Sequence, residues 1–379
     1  MKKFKEMNKK EKRNHMIIWI LIIVFFIGLY FFNQSIDRID LIDSNGMSFA
    51  KGTVVEIISE NRNEDGTQLG TQIVNVLIKS GEYQGKIIQT TNIDSYLYGA
   101  DCKIGTKVIV QLSEYNGTVS ASVYNYDRTN VLYIMIAIFF ISLLLIGKKK
   151  GLTAILGLVF TFICILYLYL PMMYIGISPF VSACLVAILT TLVTMYFIGG
   201  LTMKTLCAIL GTICGVVLSG IFAFLFGKIS HINGYNVSDI ETLIFIGQNS
   251  QLDVSGLLFS GILIASLGAI MDVAISISTT MEELVFHNPQ ISRKQLLKSG
   301  IKIGGDMMGT MSNTLILAFT GSSLSTLMIF YSYKMTFLQM FNSYDIGIEI
   351  IQGISGSLGV VLTVPFVALI SSLFMYKNK

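Results

Sequence analysis

Eight apolar runs, each about as long as a bilayer core is thick, constrain this chain more than anything else in it. They lie at 16–32, 130–146, 152–170, 179–198, 205–227, 254–278, 303–328 and 348–375. A helix needs roughly 20 apolar residues to cross a bilayer, and only helices or closed barrels can satisfy their backbone polar groups there. Charged residues make up 13% of the chain, about half the share of a soluble protein. The expected fold class is an α-helical polytopic membrane protein with about eight transmembrane helices.

Charge sets the direction. Residues 1–15 hold Lys2, Lys3, Lys5, Lys9, Lys10, Lys12 and Arg13 ahead of the first run. A secretory signal also starts basic, but its apolar core is shorter and ends in small residues at a cleavage site. Here the run closes Tyr30-Phe31-Phe32-Asn33-Gln34, which reads as an uncleaved signal anchor with a cytoplasmic N-terminus. Alternate connections then carry Lys148-Lys149-Lys150, Lys204, the set Arg293, Lys294, Lys298 and Lys302, and the tail residues Lys377 and Lys379. The opposite connections carry Lys228 and Lys334. Basic residues collect in cytoplasmic loops, so both termini are expected in the cytoplasm of the cell membrane.

Between the first and second runs the character changes. Thr53–Ile58, Gln72–Ile78, Lys86–Gln89 and Lys107–Leu112 alternate with strand periodicity. Turn signals separate them at Glu64-Asp65-Gly66, Ser80-Gly81-Glu82, Ala100-Asp101 and Asn116-Gly117. Five or six short strands at this spacing suggest a small closed β-barrel of OB or SH3 type, placed by the charge pattern on the extracytoplasmic side. The expected organisation is a basic tail and anchor helix at 1–35, a β module at 36–128 and a seven-span membrane body at 129–379.

Of the other segments, the loop 229–254 is polar around Leu243-Ile244-Phe245-Ile246, a candidate short surface helix. The connection 281–302 reads as two short amphipathic helices on the membrane surface, broken at Asn288-Pro289 because proline resists the helix interior, with Ser292 as N-cap. Glycine pairs such as Gly211 and Gly215 allow close helix approach, but their order establishes no internal repeat. Cys102, Cys164, Cys184, Cys207 and Cys214 form no CxxC pair, and the histidines are His15, His231 and His287. No cofactor or disulfide framework is expected, no P-loop for nucleotide appears, and no basic aromatic face for nucleic acid is present.

Two acidic residues stand apart: Asp272 in Gly268-Ala269-Ile270-Met271-Asp272-Val273-Ala274-Ile275-Ser276 and Asp306 in Gly304-Gly305-Asp306-Met307-Met308-Gly309-Thr310. A carboxylate inside lipid is expensive unless it is paired, protonated or wet, so it is a functional candidate by default. Helical spacing puts Ser276 on the face of Asp272, and Thr310 and Asn313 on the face of Asp306. If the two spans pack antiparallel, two stripes of oxygen-bearing side chains point at one another near the cytoplasmic end. Such donors suit a hard cation or a proton relay. The plainer alternative is that both acids stay hydrated near the membrane rim.

Those two stretches are also where the chain resembles a known family. Gly268–Ile277 and Gly305–Ala318, with weaker echoes at Gly52-Thr53-Val54 and Tyr126-Asp127-Arg128, resemble the YibE/YibF family of bacterial polytopic membrane proteins. The resemblance covers nearly the whole chain and implies an architecture and a location. A more distant likeness is to intramembrane aspartyl proteases, whose signatures are Tyr-Asp and Gly-x-Gly-Asp. The chain departs from it, with Met271 in place of the tyrosine, Ile303 in place of the first glycine, and Val364-Pro365-Phe366 in the last span.

The leading expectation is an ion-coupled transporter with Asp272, Ser276, Asp306, Thr310 and Asn313 as its ion or substrate site. The rival is a non-transporting envelope scaffold or receptor whose β module does the recognising. Expected partners are the lipid bilayer, a small ion or solute, and a second copy or a paralogous membrane protein.

Overall fold

The computed structural model describes residues 9–38, 41, 46–60, 70–94, 99–115, 118–237 and 239–376. The turn signals Glu64-Asp65-Gly66 and Asn116-Gly117, and the basic residues Lys2, Lys3, Lys5, Lys377 and Lys379, lie outside the described residues. The chain divides into two compact units, Asp40–Ser142 on one side and Met1–Ile39 with Leu143–Lys379 on the other.

In the first unit, β1 (Met47–Glu60), β2 (Gly70–Ile78), β3 (Ile87–Asp94), β4 (Lys107–Tyr115) and β5 (Thr118–Tyr126) close into a barrel in the order β1-β2-β3-β5-β4. β1 is long because its first half pairs with β4 and its second half with β2. Bulges at Val54/Glu56 and Ile57/Ser59 bend it between the two partners. Gly52 sits where β1 serves both, and a Cβ there would overlap Val76 Cγ1. Val54, Val74, Val76, Val108 and Val110 fill the interior at 0–1% exposure, as their alternation requires. The arrangement is a five-stranded Greek-key barrel of the OB kind.

One end of the barrel holds a buried amide knot instead of apolar filler. Asn92 Nδ2 donates to Gln72 Oε1 at 2.8 Å and to the Ala100 carbonyl at 2.5 Å. Gln72 Oε1 also accepts from the Cys102 amide at 3.2 Å. These bonds hold the 99–102 loop in place and bury Cys102 completely. At the barrel's exit Asp127 accepts from the Thr129 amide at 3.1 Å and pairs with Lys51 at 3.5 Å. The Thr129 hydrogen bonds, followed by Lys51, hold its carboxyl below the usual carboxylate range.

The rest of the chain is helical: α1 (Lys9–Gln34), α2 (Thr129–Cys164), α3 (Leu170–Tyr174), α4 (Pro179–Gly199), α5 (Met203–Ile229), α6 (Ile240–Asn249), α7 (Leu257–His287), α8 (Arg293–Ser322), α9 (Leu324–Ser332), α10 (Phe337–Phe341) and α11 (Tyr344–Phe374). Among the described residues, six helices are long and apolar enough to cross a membrane, or up to seven if the bent pair α8 and α9 is one span. The count is lower than the eight apolar runs because the 46-residue stretch Thr129–Tyr174 is taken as a single helix. That stretch is broken at Lys148, whose backbone leaves the helical region at φ 48° and ψ −119°. Gly151 there lies against the Leu143 carbonyl, eight residues earlier, so the chain turns back on itself. A continuous helix would separate those residues by about 12 Å.

A five-residue π turn, Ile165–Tyr169, precedes α3. Pro171 has no N–H to give to the preceding turn, and the Tyr167 carbonyl accepts from Asn33 Nδ2 at 2.6 Å instead. With Trp19 against Phe197 and Phe25 against Phe160, this bond docks α1 on the bundle.

The core lies among α5, α7, α8 and α11. α5 and α11 approach through glycines: a Cβ on Gly211 would overlap Val367, one on Gly215 would overlap Thr363, and one on Gly359 would stand 2.7 Å from Ser219 Cβ.

One expectation is corrected in this region. The connection 281–302 is not a pair of surface helices. α7 runs unbroken to His287 and α8 starts at Arg293, leaving only a tight turn at Asn288-Pro289. Ser292 does cap α8, accepting from Gln295 N at 3.3 Å. The acids of this segment suggested surface helices, but Glu282 pairs with Lys204 of α5 at 2.8 Å while Met281 is fully buried. The run 303–328, expected as one span, bends by 59° between Ser322 and Leu324. No proline marks that break.

Candidate functional site

α7 and α8 form a helical hairpin, and their contacts fix the register. A Cβ on Gly300 would meet Met281 Sδ at 2.6 Å, and one on Gly304 would meet Ile277 Cδ1 at 2.8 Å. Extending that antiparallel pairing sets Asp272 level with Gly309, three residues beyond Asp306, or about 4.5 Å along the axis. Asp272 is fifteen residues from the α7 terminus at His287, and Asp306 thirteen from the α8 start at Arg293. That puts each about 20 Å from its helix end, much deeper than the spans read from the sequence implied. Both carboxylates stand near the middle of their helices and at nearly the same height.

Their directions differ from the expectation. At 100° per residue, Asp272 lies about 140° round α7 from Ile277, and Asp306 about 160° round α8 from Gly304. The two stripes therefore turn away from the α7–α8 contact and do not point at each other. Asp272 is exposed and Ser276 half-buried; Asp306, Thr310 and Asn313 are all exposed on the side of α8 remote from α11. The opposite face of α8 meets α11, where Ser357 Oγ lies 3.4 Å from the Ser312 carbonyl and Gly356 faces Leu315. Among the described residues, neither carboxylate has a hydrogen-bond or ion-pair partner, and no group of three or more His, Cys, Asp or Glu could hold a metal ion.

The hydroxyls on these faces are oriented by their own helices. Thr310 Oγ1 donates to the Met307 carbonyl at 3.0 Å, Thr314 Oγ1 to the Thr310 carbonyl at 2.9 Å, and Thr280 Oγ1 to the Ser276 carbonyl at 2.8 Å. Bonded this way, each turns oxygen lone pairs outward, so the α8 face presents carboxylate, amide and hydroxyl acceptors together. Gly305 and Gly309 add no bulk: nothing lies within 4 Å of where their Cβ would stand. An apolar cavity of about 680 Å³ opens elsewhere, between α1, α4 and α5, lined by Phe25, Phe160, Tyr196 and Leu206. None of the five candidate residues lines it.

One acidic residue was not singled out from the sequence. Glu349 lies in the first turns of α11, and its Oε2 is enclosed without a hydrogen-bond partner. Gly353 lies beside Ile316 and Phe319, and the same antiparallel register sets Glu349 at the level of Ser322, where α8 ends. Its signal was the same as that of Asp272, an acid inside an apolar run, but it sits near the beginning of that run.

The two acidic stretches fall within a segment recognised in other proteins. The family described as YibE/F-like protein matches residues 135–377, which takes in all of α4 to α11 and leaves out the β-barrel. No curated protein and no solved structure matches the chain. With its apolar helices and a match over well over half of its length, the chain belongs to the YibE/F-like family of membrane proteins.

Proposed function

We propose that this protein is an ion-coupled membrane transporter in which Asp272 and Asp306 bind a proton or a hard cation during transport. The observation that carries this reading is the pair of unpartnered carboxylates at nearly equal height in the middle of adjacent helices. Holding one such group in a bilayer costs several kcal/mol, and among the described residues neither makes an ion pair within the chain. Ser276, Thr310 and Asn313 supply further oxygen ligands beside them. The basic ends of the helices stand in the cytoplasm, with the β-barrel on the opposite side, following the distribution of Lys and Arg between loops.

Peptide hydrolysis by an aspartate pair is less well supported. A dyad sharing one proton needs its carboxyls face to face, and these turn away from their shared contact. A screen of a deletion strain against metal ions, amino acids and membrane-active peptides identifies the substrate class. The transporter reading expects a sensitivity restored by the wild-type chain and by a chain lacking residues 40–125, but not by Asp272→Asn. Loss of complementation on removing 40–125, with Asp272→Asn fully active, would assign the function to the barrel as scaffold or receptor instead.

A further inference from the structure

The glycines of the bundle fall into two groups. Those at 211, 215, 300, 304, 356 and 359 are held against a neighbouring helix, and an added Cβ would collide there. Gly305 and Gly309 are also in a membrane helix and four residues apart, the spacing that lets two helices cross in close contact. Among the described residues, nothing lies within 4 Å of either Cβ position.

Gly309 belongs to a continuous stripe. Lys302, Asp306, Gly309, Asn313, Leu317 and Thr320 recur at three- and four-residue intervals, and all are exposed. Lipid cannot solvate the carboxylate or the amide, so the face is met by water or by protein. The stripe also carries both signs of charge. Lys302 and Asp306 lie one turn apart, and no ion pair joins them in the protomer. In a pair related by a two-fold axis along the membrane normal, the same face meets itself, and residue i meets j as j meets i. Each Lys302 is then offered to the Asp306 of the other copy.

We propose that the protein acts as a homodimer in which α8 crosses α8 of a second copy at Gly305 and Gly309. The crossing sets Lys302 of each copy against Asp306 of the other and encloses both Asn313 side chains. The candidate site is incomplete in a single chain, and the second copy's Lys302 occupies the Asp306 carboxylate until a transported cation or proton displaces it. This last point rests on the transporter reading; the dimer itself does not.

The test uses the full-length protein, fluorescently labelled and reconstituted at low density in phospholipid vesicles, with subunits counted by single-molecule photobleaching. Wild type is expected to bleach in two steps. Gly309→Leu is expected to weaken the dimer at least tenfold, whereas Gly261→Leu, at an equally open glycine of α7, leaves it unchanged. Lys302→Asp alone weakens the dimer, and the double variant Lys302→Asp with Asp306→Lys restores it, which a merely misfolded protein would not do. A monomeric wild type, or a dimer indifferent to Gly309→Leu and to the charge exchange, overturns the proposal. A monomer that still carries Asp272-dependent flux overturns the dimer and leaves the transporter reading standing; a dimer without flux does the reverse.

Discussion

The close approach of α5 and α11 gives a prediction whose sign can be worked out. In Gly359→Ala the new methyl would stand 2.7 Å from Ser219 Cβ, 2.9 Å from Ile270 Cδ1 and 3.1 Å from the Gly215 carbonyl. Carbon atoms rest at about 3.5–4.0 Å, so the helices must separate by roughly 1 Å. Two of the three obstacles, Ser219 Cβ and the Gly215 carbonyl, are fixed to the α5 backbone and cannot swing aside. Overpacking of this kind costs about 1–3 kcal/mol. Alanine returns about 1 kcal/mol of helix propensity, so the net expectation is a loss of up to about 2 kcal/mol. Gly261 on α7 has nothing within 4 Å of its Cβ position, and Gly261→Ala should gain the propensity term alone. Equilibrium unfolding in mild detergent, followed by circular dichroism, should separate the two variants by about 1–3 kcal/mol, with Gly261→Ala the more stable. Equal stabilisation of both would refute the packing described for α5 and α11.

Other contacts make their own predictions. Asn33→Leu leaves the Tyr167 carbonyl without the donor it has at 2.6 Å, a loss of about 1–3 kcal/mol, and should speed proteolysis between α1 and the barrel; unchanged digestion kinetics would mean that α1 is held by its aromatic contacts alone. Asp127 has its carboxyl held low by Thr129 and then Lys51, so its contribution is present above about pH 3.9 and is lost as pH falls through the lower folded value. Hydrogen exchange at barrel amides such as Val54 and Val108 should accelerate below that pH in wild type and less steeply in Asp127→Asn, and identical profiles would remove Asp127 from the account.

Much of the architecture was legible in the sequence because its causes are local. Alternating valines gave the strands, Asn288-Pro289 gave the break before α8, and Ser292 gave its start. What was not legible depended on neighbours. Glu282 looked like a residue of a surface helix until Lys204 of α5 was found beside it. The bend after Ser322 has no proline to announce it, only the weaker signal of Gly321-Ser322-Ser323. The direction of Asp306 was not legible because α8 carries glycines on more than one face. Gly300 and Gly304 pack inward while Gly305 and Gly309 face open space, and sequence spacing alone does not say which pair meets the bundle. Asp272 and Asp306 were found by chemistry, as acids in apolar runs; their common height came only from the register of the hairpin.

The account's central claim is that these two carboxylates carry the coupled ion, and the most direct measurement is flux. Wild type, Asp272→Asn and Asp306→Asn are reconstituted in equal amounts into vesicles, and proton and cation movement is recorded under imposed pH and cation gradients with entrapped indicators. Wild type is expected to dissipate at least one gradient faster than empty vesicles, and both variants, inserted and folded, to fall to the empty-vesicle rate. Variants that carry the same flux as wild type would contradict the claim.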